Sequence, residues 1–210
     1  MAATDVPEIV VRRLPLYLRA LTSLAEANHL ITSSQELSEK LGISSAQIRK
    51  DLSYFGEFGK QGMGYEVLYL RDQLRRILQV DRHWDMVLVG AGDLGHAIIN
   101  YAGFRRWGYR IAAVFDNDPT KIGQILGGVP VRDSSELETT IHSLGIQIGI
   151  IAVPASQAQA VADRLVAGGI RAILNYAPIT LTLPPSVRVH NIDPVVGLQS
   201  MTYYVNPPAE

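Results

Sequence analysis

The 210-residue sequence contains no cysteine. That absence excludes disulfides, thiolate metal sites, cysteine nucleophiles and thiol-based redox sensing, and it leaves nothing in the composition that argues for secretion. An excess of either charge is missing too. Nineteen Lys and Arg against 20 Asp and Glu give a formal net charge of −1, which neither advertises nor forbids a nucleic-acid partner. The longest uncharged run, Thr139 to Ala162, is interrupted by His142, Gln147, Pro154, Ser156 and Gln157. It is too polar for a spanning helix of ~20 apolar residues. Asp5, Pro7 and Glu8 near the start are wrong for a signal peptide. The expectation is a soluble cytoplasmic protein. Internal repeats and low-complexity tracts are also lacking. What is present, 47% hydrophobic and 19% charged residues, suffices for a real core and excludes global disorder.

Two periodicities divide the chain. Residues 9 to about 80 read mostly as helix, whereas from Met86 short β-branched runs alternate with helical stretches. The boundary is expected near Asp81 to Trp84, giving domains at 1–82 and 83–193 with a tail at 194–210. In the first, helices are predicted from about Pro15 to Asn28, Ser34 to Leu41 and Ser44 to about Tyr54. Leu14, Leu18, Leu21 and Ala25 share a face of the first, and Ile48, Leu52 and Phe55 form the buried face of the third. Ser33 with Glu36, and Ser44 with Gln47, have capping-box spacing, and Gly42 stops the second helix. A Gly-rich hairpin candidate, Phe58 to Val67, and a helix from about Leu70 to Leu78 follow.

Three short helices and a hairpin describe a winged helix-turn-helix, whose third helix can enter the major groove. Arg49 and Lys50 fall off the Ile48/Leu52 face and point outward. Gln47 is placed to read base edges, and Lys60 at the hairpin tip to meet phosphate or the minor groove. Charge does not decide whether DNA is the partner: residues 1–82 carry 11 basic and 10 acidic side chains. On pattern alone, a DNA-binding module and a bland helical domain both stay open.

The second half is more explicit. The strand Met86 to Val89 runs into Gly90-Ala91-Gly92-Asp93-Leu94-Gly95 and a helix over Ala97 to Tyr101. This is G-x-G-x-x-G between strand and helix. Gly90 serves the tight turn, Gly92 the approach of a pyrophosphate, and Gly95 close helix packing. A second strand, Arg110 to Phe115, ends at Asp116, 21 residues after Gly95, the offset of a carboxylate that binds an adenosine ribose. Neither Asn117 nor Asp118 is a cation for a 2′-phosphate, so NAD(H) is favoured over NADP(H). Strands are predicted over Ile146 to Val153 and Ile170 to Leu174, and a helix over Ala155 to Val166. Asn175-Tyr176-Ala177-Pro178 falls at a strand's C-terminal end, where such sheets bind ligands. His190 to Asp193 closes a last strand, and Val195 to Val205 reads as a short helix. The expected fold is α/β: a winged helix followed by a doubly wound Rossmann sheet. Only His190 with Asp193 makes a passable acid–base pair, and no substrate domain is left over, so the expectation is not an enzyme.

The chain resembles the Rex family of bacterial redox-sensing repressors. The likeness is carried by Arg12 to Arg19, by Ile48-Arg49-Lys50-Asp51-Leu52-Ser53-Tyr54-Phe55-Gly56 and by Gly62-Met63-Gly64-Tyr65. It continues through Val89 to Gly95, Phe115-Asp116-Asn117-Asp118-Pro119, Lys121-Ile122-Gly123 and Ile173 to Pro178. The resemblance implies a cytoplasmic homodimer that represses respiratory and fermentative genes from inverted-repeat operators and leaves DNA when NADH binds. It implies DNA contacts from Arg49, Lys50 and Lys60 beside Gln47, with Ser44, Ser53 and Tyr54 on the same run. NADH or NAD⁺ would be held by Gly90 to Gly95 and Asp116, with Asn117, Asp118, Lys121, Val153, Pro154 and Asn175 to Pro178. Tyr101 and Asp193 would lie near the nicotinamide, and Arg19 would pair with the partner subunit's Asp193 in the DNA-competent state. A helix at about Val195 to Tyr204 would be swapped onto the partner. Pro194 departs from the aromatic or aliphatic residue that often follows the switch aspartate in the family. Two rivals are an NAD-dependent oxidoreductase with an accessory helical domain and a regulator of another adenine nucleotide, such as coenzyme A.

Overall fold

The computed structural model describes residues 6–60 and 62–205. The chain forms two compact units, one ending at Arg82 and the next beginning at His83.

The first unit opens with α1 (Glu8–Glu26), followed by β1 (Ile31–Thr32), α2 (Ser34–Leu41) and α3 (Ser45–Ser53). Then come β2 (Gly59–Lys60), β3 (Gly64–Glu66) and α4 (Val67–Ile77). Helix α1 begins seven residues before the expected Pro15 start and carries Pro15 inside it. An interior proline costs about 3 kcal/mol. Val10, Leu14, Leu18, Leu21 and Leu24 are all buried along that helix, at about 1.5–3 kcal/mol each, so packing outweighs the missing hydrogen bond. The core is completed by Leu37, Ile48, Leu52, Leu70 and Leu74. Helix α2 has its expected bounds, its Ser33 cap and a left-handed Gly42 at its end. Strands β1, β3 and β2 form an antiparallel wing in that order; β1 was not anticipated, since two residues show no alternation.

The second unit runs β4 (Trp84–Val89), α5 (Asp93–Ile99), α6 (Ala102–Arg106), β5 (Tyr109–Asp116), β6 (Ile125–Leu126) and β7 (Val129–Asp133). It continues through a 3₁₀ turn (Ser134–Glu136), α7 (Leu137–Leu144), β8 (Ile148–Ile151), α8 (Ala155–Ala167), β9 (Ala172–Asn175), β10 (Arg188–Asn191) and α9 (Pro194–Val205). The sheet order is β10-β9-β8-β4-β5-β7-β6, parallel except for β6 at the edge. This is the doubly wound order, with its reversal between β4 and β8. Side chains alternate across β4: Val87 and Val89 join Phe115, Leu137, Ile141 and Leu165 on one face, while Met86 and Leu88 join Ile98, Val114 and Val131 on the other. Both faces are therefore covered, as a parallel sheet requires.

Three expectations need correction here. Helix α5 starts at Asp93, not Ala97, because the Gly loop itself supplies its first turn, and it ends at Ile99. Strand β8 is confined to Ile148–Ile151, since Ile146 instead closes the end of α7 by donating its N–H to the Ile141 carbonyl. Strands β6 and β7 and helix α6 were not foreseen. No helix among the described residues is long and apolar enough to cross a membrane.

Candidate functional site

The crevice at the sheet's reversal is built by close backbone packing. Val89 and Ile151 are paired, and their strands leave the sheet together at Gly90 and Ala152. Gly90 has φ +108°, and a Cβ there would lie 2.3 Å from the Ala152 carbonyl oxygen. A Cβ on Gly95 would lie 2.1 Å from the Gly90 carbonyl oxygen, so the helix can approach the turn only without a side chain. Gly92, which caps α5, is different: a Cβ there would meet nothing within 4 Å. That open space before the free N–H groups of the helix start is the cradle a pyrophosphate needs. Ala91 and Gly95 are buried, and Asp93 and Leu94 are exposed at the loop's outer side.

Asp116 ends β5 beside this loop with only 7% of its surface exposed. Its Oδ2 accepts from the Ala91 N–H at 2.8 Å and from Lys121 Nζ at 3.2 Å, and its Oδ1 accepts from the Asp118 N–H at 2.9 Å. Burial works against its charge, but those donors outweigh burial and hold the carboxyl below its ordinary value. A carboxylate oxygen accepts about two hydrogen bonds, so Oδ1 keeps one place for a ribose hydroxyl. Lys121, which the resemblance places among the dinucleotide-binding residues, is also 4.0 Å from Asp118 Oδ2 and brings a cation to an edge where the two residues after Asp116 offer none. Asn117 is exposed, and Asp118 holds the following turn through Thr120.

The opposite wall comes from β8 and β9. Partly buried Val153 and exposed Pro154, the cap of α8, follow β8. The Tyr176 N–H donates to the Ile151 carbonyl, which seats Tyr176 beside the crevice, half-buried, its hydroxyl pushed up by burial and by the neighbouring Tyr101. Asn175 is turned inward and fully buried. Its Nδ2 donates to the Ala177 and Ile179 carbonyls and to Asn191 Oδ1, and its Oδ1 accepts from the Ala177 N–H. It therefore shapes the Tyr176-Ala177-Pro178 loop rather than facing a ligand. Tyr101 is 62% exposed and stands edge-on to Phe104. Asp193 accepts from the Val195 N–H, and Pro194 takes the first position of α9, which suits proline. His190 is exposed on β10, and no hydrogen bond or ion pair joins it to Asp193 among the described residues.

In the winged unit the structure adds a cluster that sequence reasoning missed. Asp51, on α3, is fully buried. Arg13 grips it through Nε at 2.6 Å and Nη2 at 2.8 Å, Tyr17 Oη donates to it at 2.6 Å, and Gln47 Nε2 donates at 2.6 Å. The signal was readable: Asp51 lies on the Ile48/Leu52 face, and a charge on an apolar face demands partners. Gln47 is thereby drawn inward, because its amide serves Asp51 rather than projecting from the helix. Arg49 is exposed and donates to Ser34 Oγ at 2.8 Å. Ser44 caps α3, Ser53 Oγ donates to the Lys50 carbonyl, and Tyr54 closes the helix. Lys50 and Arg19 are exposed. Lys60 lies in β2, but its side chain is outside the described residues.

A helix-turn-helix with a three-stranded wing, and a Rossmann sheet whose Gly loop and acidic strand end meet at the reversal, define the class: a two-domain protein with a DNA-binding type of unit and a dinucleotide-binding type of unit. Residues 5–53 match the family described as putative DNA-binding protein N-terminus, and residues 81–179 match the CoA binding domain family. The redox-sensing transcriptional repressor Rex of Chloroflexus aurantiacus is 55% identical over 95% of this chain and 94% of its own. Rex of Streptomyces coelicolor is 47% identical over 95% of this chain and 77% of its own. Among solved structures, RSP in complex with β-NAD⁺ and operator DNA has a TM-score of 0.91 and 41% identity, covering 97% of this chain and 94% of that one. RSP in complex with β-NADH has a TM-score of 0.87 and 39% identity, covering 97% and 95%. The chain belongs to the Rex family of redox-sensing transcriptional repressors.

Proposed function

We propose that this chain is a cytoplasmic, homodimeric transcriptional repressor that binds inverted-repeat operator DNA through α3 and the wing and leaves it when NADH is bound. The observation that carries the reading is the loop after β4, where Gly92 opens a phosphate cradle and Asp116, at the end of neighbouring β5, retains one acceptor for a ribose. RSP, similar over nearly the full chain, binds both β-NAD⁺ with operator DNA and β-NADH. The residues fit the dinucleotide. Gly90 to Gly95 receive the phosphates, Asp116 the adenosine ribose, and Val153, Pro154 and Tyr176 line the wall toward the second ring. Coenzyme A, suggested by one family description, carries a 3′-phosphorylated ribose that would meet the Asp116 carboxylate.

Discrimination between NADH and NAD⁺ must arise where the rings differ in charge, because a ligand shifts an equilibrium only through unequal affinity for two states. A closed dimer that buries the neutral dihydronicotinamide disfavours the cationic pyridinium by desolvation. Arg19 is exposed; it pairs with the partner subunit's Asp193 in the DNA-bound state, and closure breaks that pair. Helix α9 supports a dimer. Val195, Val196, Leu198, Met201, Tyr203 and Tyr204 are all more than half exposed, and a helix that is apolar all round needs a cover, which a second copy of the chain supplies by exchange. The domains are accordingly 1–82, 83–193 and a swapped tail at 194–210.

The test is selection of duplexes from a random pool by the native protein. Inverted repeats retained in NAD⁺ and released by NADH are expected. Recovery of no preferred duplex, or equal retention with both nucleotides, contradicts the reading.

A further inference from the structure

We infer that Lys121 is a masked 2′-phosphate cation, and that Asp118 rather than Asp116 alone keeps the crevice selective for the unphosphorylated ribose. The inference rests on the dinucleotide reading of that crevice. Lys121 Nζ sits 3.2 Å from Asp116 Oδ2 and 4.0 Å from Asp118 Oδ2. Its side chain is 33% exposed, so the ammonium is at the surface of the crevice rather than sealed beneath it. An ammonium has three donors, and among the described residues only one is spent within hydrogen-bond distance, on Asp116. The geometry therefore places a cation at the edge where an adenosine ribose meets Asp116, with donors to spare.

Its charge is cancelled. At neutral pH the two carboxylates and one ammonium sum to −1, so an incoming 2′-phosphate meets net repulsion although a lysine is in reach. Asp116 cannot be relaxed without cost, because its Oδ2 also holds the Ala91 N–H of the Gly loop. Asp118 is the adjustable member. Its Oδ1 accepts from the Thr120 N–H at 2.9 Å and from Thr120 Oγ1 at 2.7 Å. An asparagine carbonyl keeps both bonds, and with them the turn, while removing the charge that faces Lys121. The fold thus stores a cation that one isosteric change would expose.

The experiment measures the dissociation constants of NADH and NADPH for the full-length native protein, Asp118→Asn, Lys121→Gln and the double variant. Removing one negative charge within ~6 Å of a phosphate should shift the NADPH-to-NADH ratio toward NADPH by about tenfold or more. The double variant should lose that gain, because the lysine is the attractive group. Lys121→Gln alone should move the ratio the other way. An unmoved ratio in Asp118→Asn, or an equal gain in the double variant, overturns the role of Lys121 while leaving the dinucleotide reading intact. Failure of the native protein to bind NADH overturns that reading and this inference together.

Discussion

The Ala91 N–H donates to Asp116 Oδ2 across 2.8 Å, a bond that spans 25 residues of sequence and is buried. It locks the Gly loop after β4 to the end of β5, so the loop and the carboxylate move as one piece. Anything that displaces one displaces the other.

Two of the loop glycines should therefore separate. Gly92→Ala places its methyl in open space and should fold with a loss of about 1 kcal/mol, the typical cost of alanine at a helix N-cap, yet weaken NADH at least tenfold. Gly95→Ala drives a methyl to 2.1 Å from the Gly90 carbonyl oxygen. It should cost about 1–3 kcal/mol or more of stability. Thermal melts with and without NADH distinguish the two.

The Asp51 cluster makes an acid-sensitive brace. Burial alone would raise its pKa, but Arg13, Tyr17 and Gln47 together hold it below the ordinary value. A carboxyl lowered in the folded state contributes stability fully above its unfolded pKa of about 3.9 and loses it as pH falls through the folded value. Asp51→Asn should cost about 3–5 kcal/mol near neutral pH, as breaking a buried pair does. That deficit should shrink once native Asp51 itself protonates. Urea unfolding of both proteins at neutral pH and near pH 2 checks the sign.

On the DNA face, Lys50→Ala should weaken binding to the selected duplex and reduce the salt slope by about one. Arg49→Ala also removes the exposed bond to Ser34, and should change stability by less than about 1 kcal/mol. Gln47→Ala, by contrast, withdraws a donor from buried Asp51, so its effect should appear in stability first. Salt-dependent anisotropy paired with denaturation sorts the three.

Ending the chain after Asp193 removes α9 and its exposed apolar side chains. Sedimentation should show loss of the dimer and, with it, of operator binding, because two half-sites need two linked recognition helices. A truncated chain that stays dimeric at the same concentration contradicts the swapped helix.

Much of this was legible in sequence where a single local rule operates. The Ser33 and Ser44 caps, the Gly42 stop and the strand before Gly90 each follow from a few adjacent residues. What escaped depends on contacts distant in sequence. Helix α1 runs through Pro15 because its leucines find a core, which no propensity registers. Asn175 looks like a ligand at a strand end until its amide is seen spent on Ala177, Ile179 and Asn191. Gln47 looks outward until Asp51 claims it.

The most direct test of the sensor is a calorimetric titration of the purified protein with NADH and then with NAD⁺. NADH should bind at least ~100-fold tighter, about 2.7 kcal/mol. Equal affinities would contradict the sensor and return the oxidoreductase reading to the front.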